Sequence, residues 1–461
     1  MTISSLTTWL PELLYVDGEF RSNTAVTFNS SGQIDSIGAV NREVSNVVRL
    51  KGKALLPGLV NAHSHAFQRV IRGKTEYRSA ESSDSFWSWR ELMYAAANRL
   101  NVEEIYDASR MAFMEMALSG ITTVGEFHYI HKTPDGRSYD DPNLLAKEVI
   151  RAANDVGLRI TLLRVAYERA GFQRQPNPLQ QRFIETTDEY LNNTEALIDE
   201  VKTDMASAGV APHSVRAVSL DYLKAVGELA LHYKVPIHMH VAEQPAEVSA
   251  CIEEYGRSPV ALVDTEGLLC DRFTAVHAIH VTTKAVAAIA RSRAMVCACP
   301  TTERNLGDGV IPTDLYFNAG VPLSLGTDSQ IQIDLLEDAR QLEYEMRLQK
   351  KERNVLVAES TRGALAQRLF KCATTNGAQS VGTVGGRLDP GLPADFFTID
   401  LDDPSISGAS TDDLLSNIVF SLSRTAIKDV VVNGRLIVEQ GRHVDQEAIT
   451  EKFRALQTRL W

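Results

Sequence analysis

The run LLPGLVNAHSHAFQR at residues 55–69 decides the fold class of this chain. A mostly apolar stretch from Leu59 to Ala62, interrupted by Asn61, leads into His63-Ser64-His65. Side chains alternate across a strand with a period of two, so both imidazoles leave the strand on one side, near its C-terminal end. His-x-His alone is a weak sign of metal binding, and it gains weight from what lies further along. His238-Met239-His240 offers a second such pair with Glu243 three residues on, and Asp328 follows the apolar residues of LSLGTDS at 323–329.

Outward from that run, strand-like segments recur at 59–65, 121–127, 159–166, 210–213, 236–242, 273–279, 294–299 and 322–327. Helical patterns lie between them, at 102–118 and 143–156 (stopping at Gly120 and Gly157), at 220–233 behind Ser219 as an N-cap, and at 335–351. Eight strands with helices between them predict an α/β fold, a (β/α)8 TIM barrel over residues 55–385. His63 and His65, His128, His213, His240 and Glu243, His277 and Asp328 all fall at or just past the C-terminal ends of different strands. Those ends converge on one mouth in such a barrel, and scattered core histidines would not share that phase.

Three imidazoles and one carboxylate suit Zn²⁺, with Fe²⁺ as the alternative, and leave a position for water. Either His238 or His240 can complete the set; His240 is nearer the strand end and stands three residues before Glu243, so it is preferred. His277 is preferred over His280 for the same kind of reason. The fourth strand ends in Pro212-His213 with no lysine to bridge two metals, so one metal per subunit is the simpler count.

The two ends of the chain read differently from the middle. Residues 12–50, and later 394–402 and 427–444, alternate as short strands with turn signals at Asp17-Gly18, Ser31-Gly32 and Asn433-Gly434. They predict one small β-sandwich domain made from residues 1–54 and 386–461. The chain has 461 residues, 44% hydrophobic and 23% charged, enough for a barrel plus a smaller domain. A net charge of -12 argues against nucleic acid or an anionic membrane as partner. It leaves an anionic small substrate open, because a pocket can be locally basic. Five cysteines, at 251, 270, 297, 299 and 372, do not form a disulfide pattern and read as packed thiols. The N-terminal stretch lacks a basic start and a small-residue cleavage site, which leads to an expected cytoplasmic location.

At these residues the chain resembles the amidohydrolase superfamily: LLPGLVNAHSH at 55–65, the strand-five histidine with its glutamate, VHAIH at 276–280, GTDS at 326–329 and GRLDPGLPADFFTID at 386–400. Within it, the chain is similar to the formimidoylglutamate deiminases of histidine breakdown. HSHAFQR (63–69), DSFWSWRELMY (84–94), EFHYIH (126–131), DGRSYDDP (135–142), PHSVRAV (212–218) and TERNLGDG (302–309) carry that likeness. The resemblance implies zinc on His63, His65, His240 and Asp328. It implies proton and charge work for Glu243, His277 and Asp328, and a substrate wall of Gln68, Arg90, Tyr129, His213 and Arg216. The implied substrate is a small dianionic formimino amino acid, and the implied assembly is a homodimer. A deaminase of guanine or another aminated heterocycle would use the same metal chemistry with stacking and amide contacts in place of arginines. A non-catalytic scaffold on the same barrel would have lost ligands, and here every one is present.

Overall fold

A computed structural model describes residues 6–40, 46–77, 85–357 and 361–461; Asp84, the first residue of the aromatic segment quoted above, lies outside them. Eight parallel strands follow one another around a barrel in chain order: β1 (Leu59–Ser64), β2 (Ile121–His128), β3 (Arg159–Ala166), β4 (Ala206–Pro212), β5 (Ile237–Val241), β6 (Phe273–His277), β7 (Met295–Ala298) and β8 (Leu323–Leu325). Nearly every residue of these strands is buried, as a parallel sheet covered by helices on its outer face requires. β4 begins four residues earlier than its sequence pattern suggests. Ala206-Ser207-Ala208-Gly209 has little strand character of its own, but it pairs with β3 from Ile160↔Ala206 to Ala166↔Pro212, and that pairing wins over local propensity.

The barrel closes where the metal-ligand candidates sit. The Asp328 amide donates to the His63 carbonyl at 3.0 Å, and the His65 amide donates to the Asp328 carbonyl at 3.0 Å. Gly326 makes this approach feasible: a Cβ there would stand 2.7 Å from His63 Cβ and 2.8 Å from its carbonyl oxygen.

Both ends of the chain build one mixed nine-stranded sheet. Thr7–Val16 runs parallel to Val47–Pro57, which pairs antiparallel with Phe396–Asp400 from the far end of the chain. Ile427–Val432 and Arg435–Glu439 form a hairpin across Asn433-Gly434, both at positive φ (49° and 73°), as a two-residue type I′ turn demands. Phe28 and Phe396 lie three strands apart in the sheet order, about 14 Å if it were flat. Their rings are 6.2 Å apart, so the sheet folds over on itself around Trp9, Val26, Phe28, Leu55 and Phe396 and gives a two-layered sandwich. The last helix, Gln446–Leu460, leaves this sheet and packs on the barrel helix Val102–Ala117; Arg459 pairs with Glu104, and Trp461 Nε1 donates to the Val70 carbonyl. Among the described residues no helix is long and apolar enough to cross a membrane.

Candidate metal centre and active site

His63 and His65 leave the end of β1, and His240 leaves β5. His63 Nε2 stands 3.2 Å from both His65 Nε2 and His240 Nε2, and Asp328 Oδ1 lies 3.2 Å from His65 Nε2 and 3.6 Å from His63 Nε2. One ligand atom from each of the four lies within 4.8 Å of all the others, and all four residues are buried. The tautomers are set from behind: His65 Nδ1–H donates to the Phe127 carbonyl and His240 Nδ1–H to the His213 carbonyl, each at 3.0 Å. That leaves the Nε2 lone pairs of His65 and His240 both aimed at His63 Nε2; a proton there can meet only one of them, whereas a single cation among the three rings meets all. The 3.2 Å spacings also match the edge of a tetrahedron with metal–nitrogen bonds of about 2.0–2.1 Å. The donor set therefore fits a zinc-like ion.

Electrostatics agree with that fit. Burial pushes the His63 imidazole down to about 3, against a pull upward from Asp328. Burial raises the Asp328 carboxyl, but the facing His63 and His65 outweigh it and hold the group well below the usual carboxylate range. Glu126, whose pKa burial lifts to about 7, accepts from Ser64 Oγ at 2.5 Å and from the Ala66 amide at 2.7 Å, which fixes the turn after His-Ser-His. Ala242, His277, Ala278 and Asp328 have φ of 52°, 67°, 47° and 47°. Strained left-handed backbone at non-glycine positions costs about 1–3 kcal/mol each and collects at functional sites.

Beside the cluster, His277 Nε2 faces Glu243 Oε1 at 3.6 Å and Asp328 Oδ2 at 3.7 Å, and its Nδ1 lies 3.1 Å from Glu303 Oε1. Burial works against a charged imidazole here, yet Glu243, Glu303 and Asp328 hold it well above its ordinary value. Arg216 Nη2 donates to Glu243 Oε2 at 3.1 Å, and its Nη1 lies 3.4 Å from Glu247 Oε2. The guanidinium also lies 5.5 Å from the Phe86 ring centroid and 5.9 Å from that of Trp87.

A cavity of about 40 Å³ sits over the cluster. Its lining brings together His65, His240, Asp328 and Glu243 with all five residues anticipated for the substrate wall: Gln68, Arg90, Tyr129, His213 and Arg216. Gln68 Nε2 donates to Tyr129 Oη at 2.8 Å, while Gln68 Oε1 and Arg90 Nε are buried without a partner. The His213 ring packs 4.7 Å from Tyr167. The structure splits the His-x-His pair of β5: His238 points away from the cluster, 2.8 Å from the Ser380 carbonyl. His280 lies 2.8 Å from the Asp308 carbonyl, away from the ligand set.

The amidohydrolase family profile matches residues 54–437. The chain belongs to the amidohydrolase family. A formimidoylglutamate deiminase from Pseudomonas aeruginosa is 39% identical over 87% of this chain and 88% of its own length. A 5-methylthioadenosine/S-adenosylhomocysteine deaminase from Pyrococcus abyssi is 26% identical over 90% of this chain and 89% of that protein. The crystal structure of an amidohydrolase from Brucella melitensis superposes with a TM-score of 0.90 at 32% identity, covering 98% of this chain and 99% of that one.

Two buried glutamates beside the candidate site of this amidohydrolase escape the sequence patterns. Glu247, four residues after Glu243 on the helix Pro245–Tyr255, lies fully within the protein and meets Arg216 from the other side. Glu303, at the start of the helix Pro300–Leu306, orients His277. Glu303 lies in the TERNLGDG run, so its segment was visible although its role was not. Glu247 carries no comparable signal.

Proposed function

We propose that this chain hydrolyses N-formimino-L-glutamate to N-formyl-L-glutamate and ammonia, with one Zn²⁺ per subunit, in the cytoplasm and as a homodimer. The observation that carries this reading is the joint lining of one cavity by three of the four metal-ligand candidates (His65, His240 and Asp328), Glu243 and two arginines. Guanidinium groups pair with carboxylates through two parallel hydrogen bonds, and this substrate brings two carboxylates. The relative from Pseudomonas aeruginosa supports the same substrate. On this reading residues 55–385 form the catalytic unit, and residues 1–54 with 386–461 form its β companion.

His63, His65, His240 and Asp328 would hold the zinc, which supplies Lewis-acid activation of water near neutral pH when bound. The chain's own groups do the rest. Asp328 takes one proton of the attacking water as its oxygen bonds to the carbon of the amidinium and the C=N electron pair withdraws to nitrogen. Glu243, within reach of His277 and Arg216, relays that proton to the nitrogen; as the C–N bond breaks, the hydroxyl proton left on the oxygen passes to Asp328 and leaves with ammonia as ammonium. His277, its Nδ1 held by Glu303, hydrogen-bonds the oxygen as charge develops on it. Arg90 and Arg216 hold carboxylates, Gln68 Oε1 accepts from a substrate N–H, and Tyr129 and His213 shape the pocket.

The cavity has room for only a few waters, roughly, so the substrate enters by displacing a wall. The helix Phe86–Arg99 supplies Phe86, Trp89, Arg90, Met93 and Tyr94 to that wall and is the element that must shift. The test is ammonia release by the zinc-loaded protein from N-formimino-L-glutamate, guanine, and a formimino amino acid lacking the side-chain carboxylate. Release from the first alone is expected. Release from guanine would move the chain among the heterocycle deaminases, and release from none would remove the substrate assignment.

A further inference from the structure

A second, larger cavity of about 480 Å³ adjoins the first. The two share Arg90 and Arg216, so these arginines stand in the partition between an inner chamber too small for an amino-acid-sized molecule and an outer one that accommodates it. Two cations on the outer lining, Arg90 and Arg174, have no carboxylate partner among the described residues. Arg90 is stacked 4.6 Å from the centroid of Trp87 and keeps a buried, unpartnered Nε. Arg174 is exposed on the loop after β3, where its amide donates to the Gly171 carbonyl. The acidic residues of the lining divide in a complementary way. Glu247 is taken by Arg216 and Glu254 by Arg169, which leaves Glu253.

Resting on the substrate class proposed above, we infer that this outer cavity is an antechamber in which a small dianion is held before it enters the catalytic chamber. Arg174 and Arg90 take its two carboxylates, and Glu253 faces its cationic amidine. Arg174 touches only the outer chamber and is a capture residue, whereas Arg90 serves both chambers. The guanidinium of Arg90, stacked on Trp87 in the partition, passes the anion inward as the Phe86–Arg99 helix shifts. Charges that line a cleft raise encounter rates by roughly 10–10³-fold and lose that effect as salt rises.

The test compares wild type with Arg174→Gln, an exposed substitution that leaves the core untouched. With N-formimino-L-glutamate at low salt, kcat/KM is expected to fall about tenfold with kcat unchanged. The decline of kcat/KM with added salt should also flatten in the variant. In parallel, glutarate is titrated against tryptophan emission. A response is expected in wild type, absent in Trp87→Phe and weakened severalfold in Arg174→Gln. Unchanged kcat/KM at every salt concentration together with an unchanged glutarate response would overturn the antechamber. If wild type releases no ammonia from N-formimino-L-glutamate but the Arg174-dependent glutarate response persists, the substrate assignment fails while anion capture by the outer chamber stands.

Discussion

The floor of the site and the wall above it are held by different forces. The floor consists of His63, His65, His240 and Asp328 on strand ends, each tied to backbone: His65 and His240 through their Nδ1 hydrogen bonds, and His63 and Asp328 through the amide–carbonyl pair that closes the barrel. The wall consists of side chains from the helix Phe86–Arg99, the turn after β1 and the loops after β2 and β4, held by ion pairs and ring contacts such as Arg216 between Glu243 and Glu247 and Arg90 on Trp87. Backbone-tied groups keep their geometry when a neighbour changes. Groups tied to one another rearrange together, which suits a chamber that must open. Changes on the floor should therefore alter chemistry or metal content alone, and changes in the wall should alter binding and stability together.

Glu243 stands where the two regions meet and should show the largest effect. Glu243→Gln keeps the size of the side chain and makes no change to the four ligand candidates. Removing a positioned proton-transfer group costs on the order of 10²–10⁴ in rate. Ammonia release should fall by that factor while metal analysis still finds one ion per chain. Normal turnover would remove Glu243 from the proton path, and lost metal would make it part of the floor.

Arg216→Met tests the wall. A hydrogen bond to a charged group contributes about 1.5–3 kcal/mol, so KM should rise roughly 10–100-fold. The same change leaves Glu243 and Glu247 buried side by side without their cation. Removing one partner of a buried ion pair destabilises by about 3–5 kcal/mol. The thermal midpoint should therefore drop along with affinity, and restoring charge balance with Glu247→Gln in the same chain should recover part of the midpoint but not the KM. A raised KM with an unchanged midpoint would mean that the Glu243–Arg216–Glu247 cluster holds nothing together.

The floor was legible in the sequence because it obeys periodic rules. Two-residue alternation put His63 and His65 on one side, and the strand ends of a barrel put His240, His277 and Asp328 at the same mouth. The composite β domain was legible from turn chemistry at Asn433-Gly434 and the alternating ends of the chain. The wall residues Gln68, Arg90, Tyr129, His213 and Arg216 came from the family resemblance rather than from any period, and all five line the cavity. That Arg216 is paired to Glu243 and Glu247, that Glu303 orients His277, and that the inner chamber is so small depend on contacts between elements distant in the chain, for which no local pattern exists. The early start of β4 was hidden for the same reason: its first four residues become a strand only because β3 lies beside them.

The smallest expected effect concerns the pair His238 and His240, which the sequence presents as equivalent. Both point to the inside of β5, yet they do opposite jobs two residues apart. His240 faces the mouth, and His238 is buried below it with its Nε2–H on the Ser380 carbonyl. Burial pushes the His238 imidazole down to about 4. An unfolded chain takes up this proton near pH 6.5, while the folded protein resists it until about 4. The stabilisation from a neutral His238 is therefore complete above pH 6.5 and is lost as pH falls through that window, at up to about 1.4 kcal/mol per pH unit. His238→Gln keeps an N–H for Ser380 and cannot take up a proton. Metal-free wild type and variant, which share the titration of the ligand histidines, should differ in unfolding free energy at pH 7. That gap should narrow by up to about 2 kcal/mol at pH 5. A gap independent of pH would mean that His238 is already charged or open to water. The two histidines of β5 would then belong to one polar site rather than to a catalytic floor resting on a neutral, packed base.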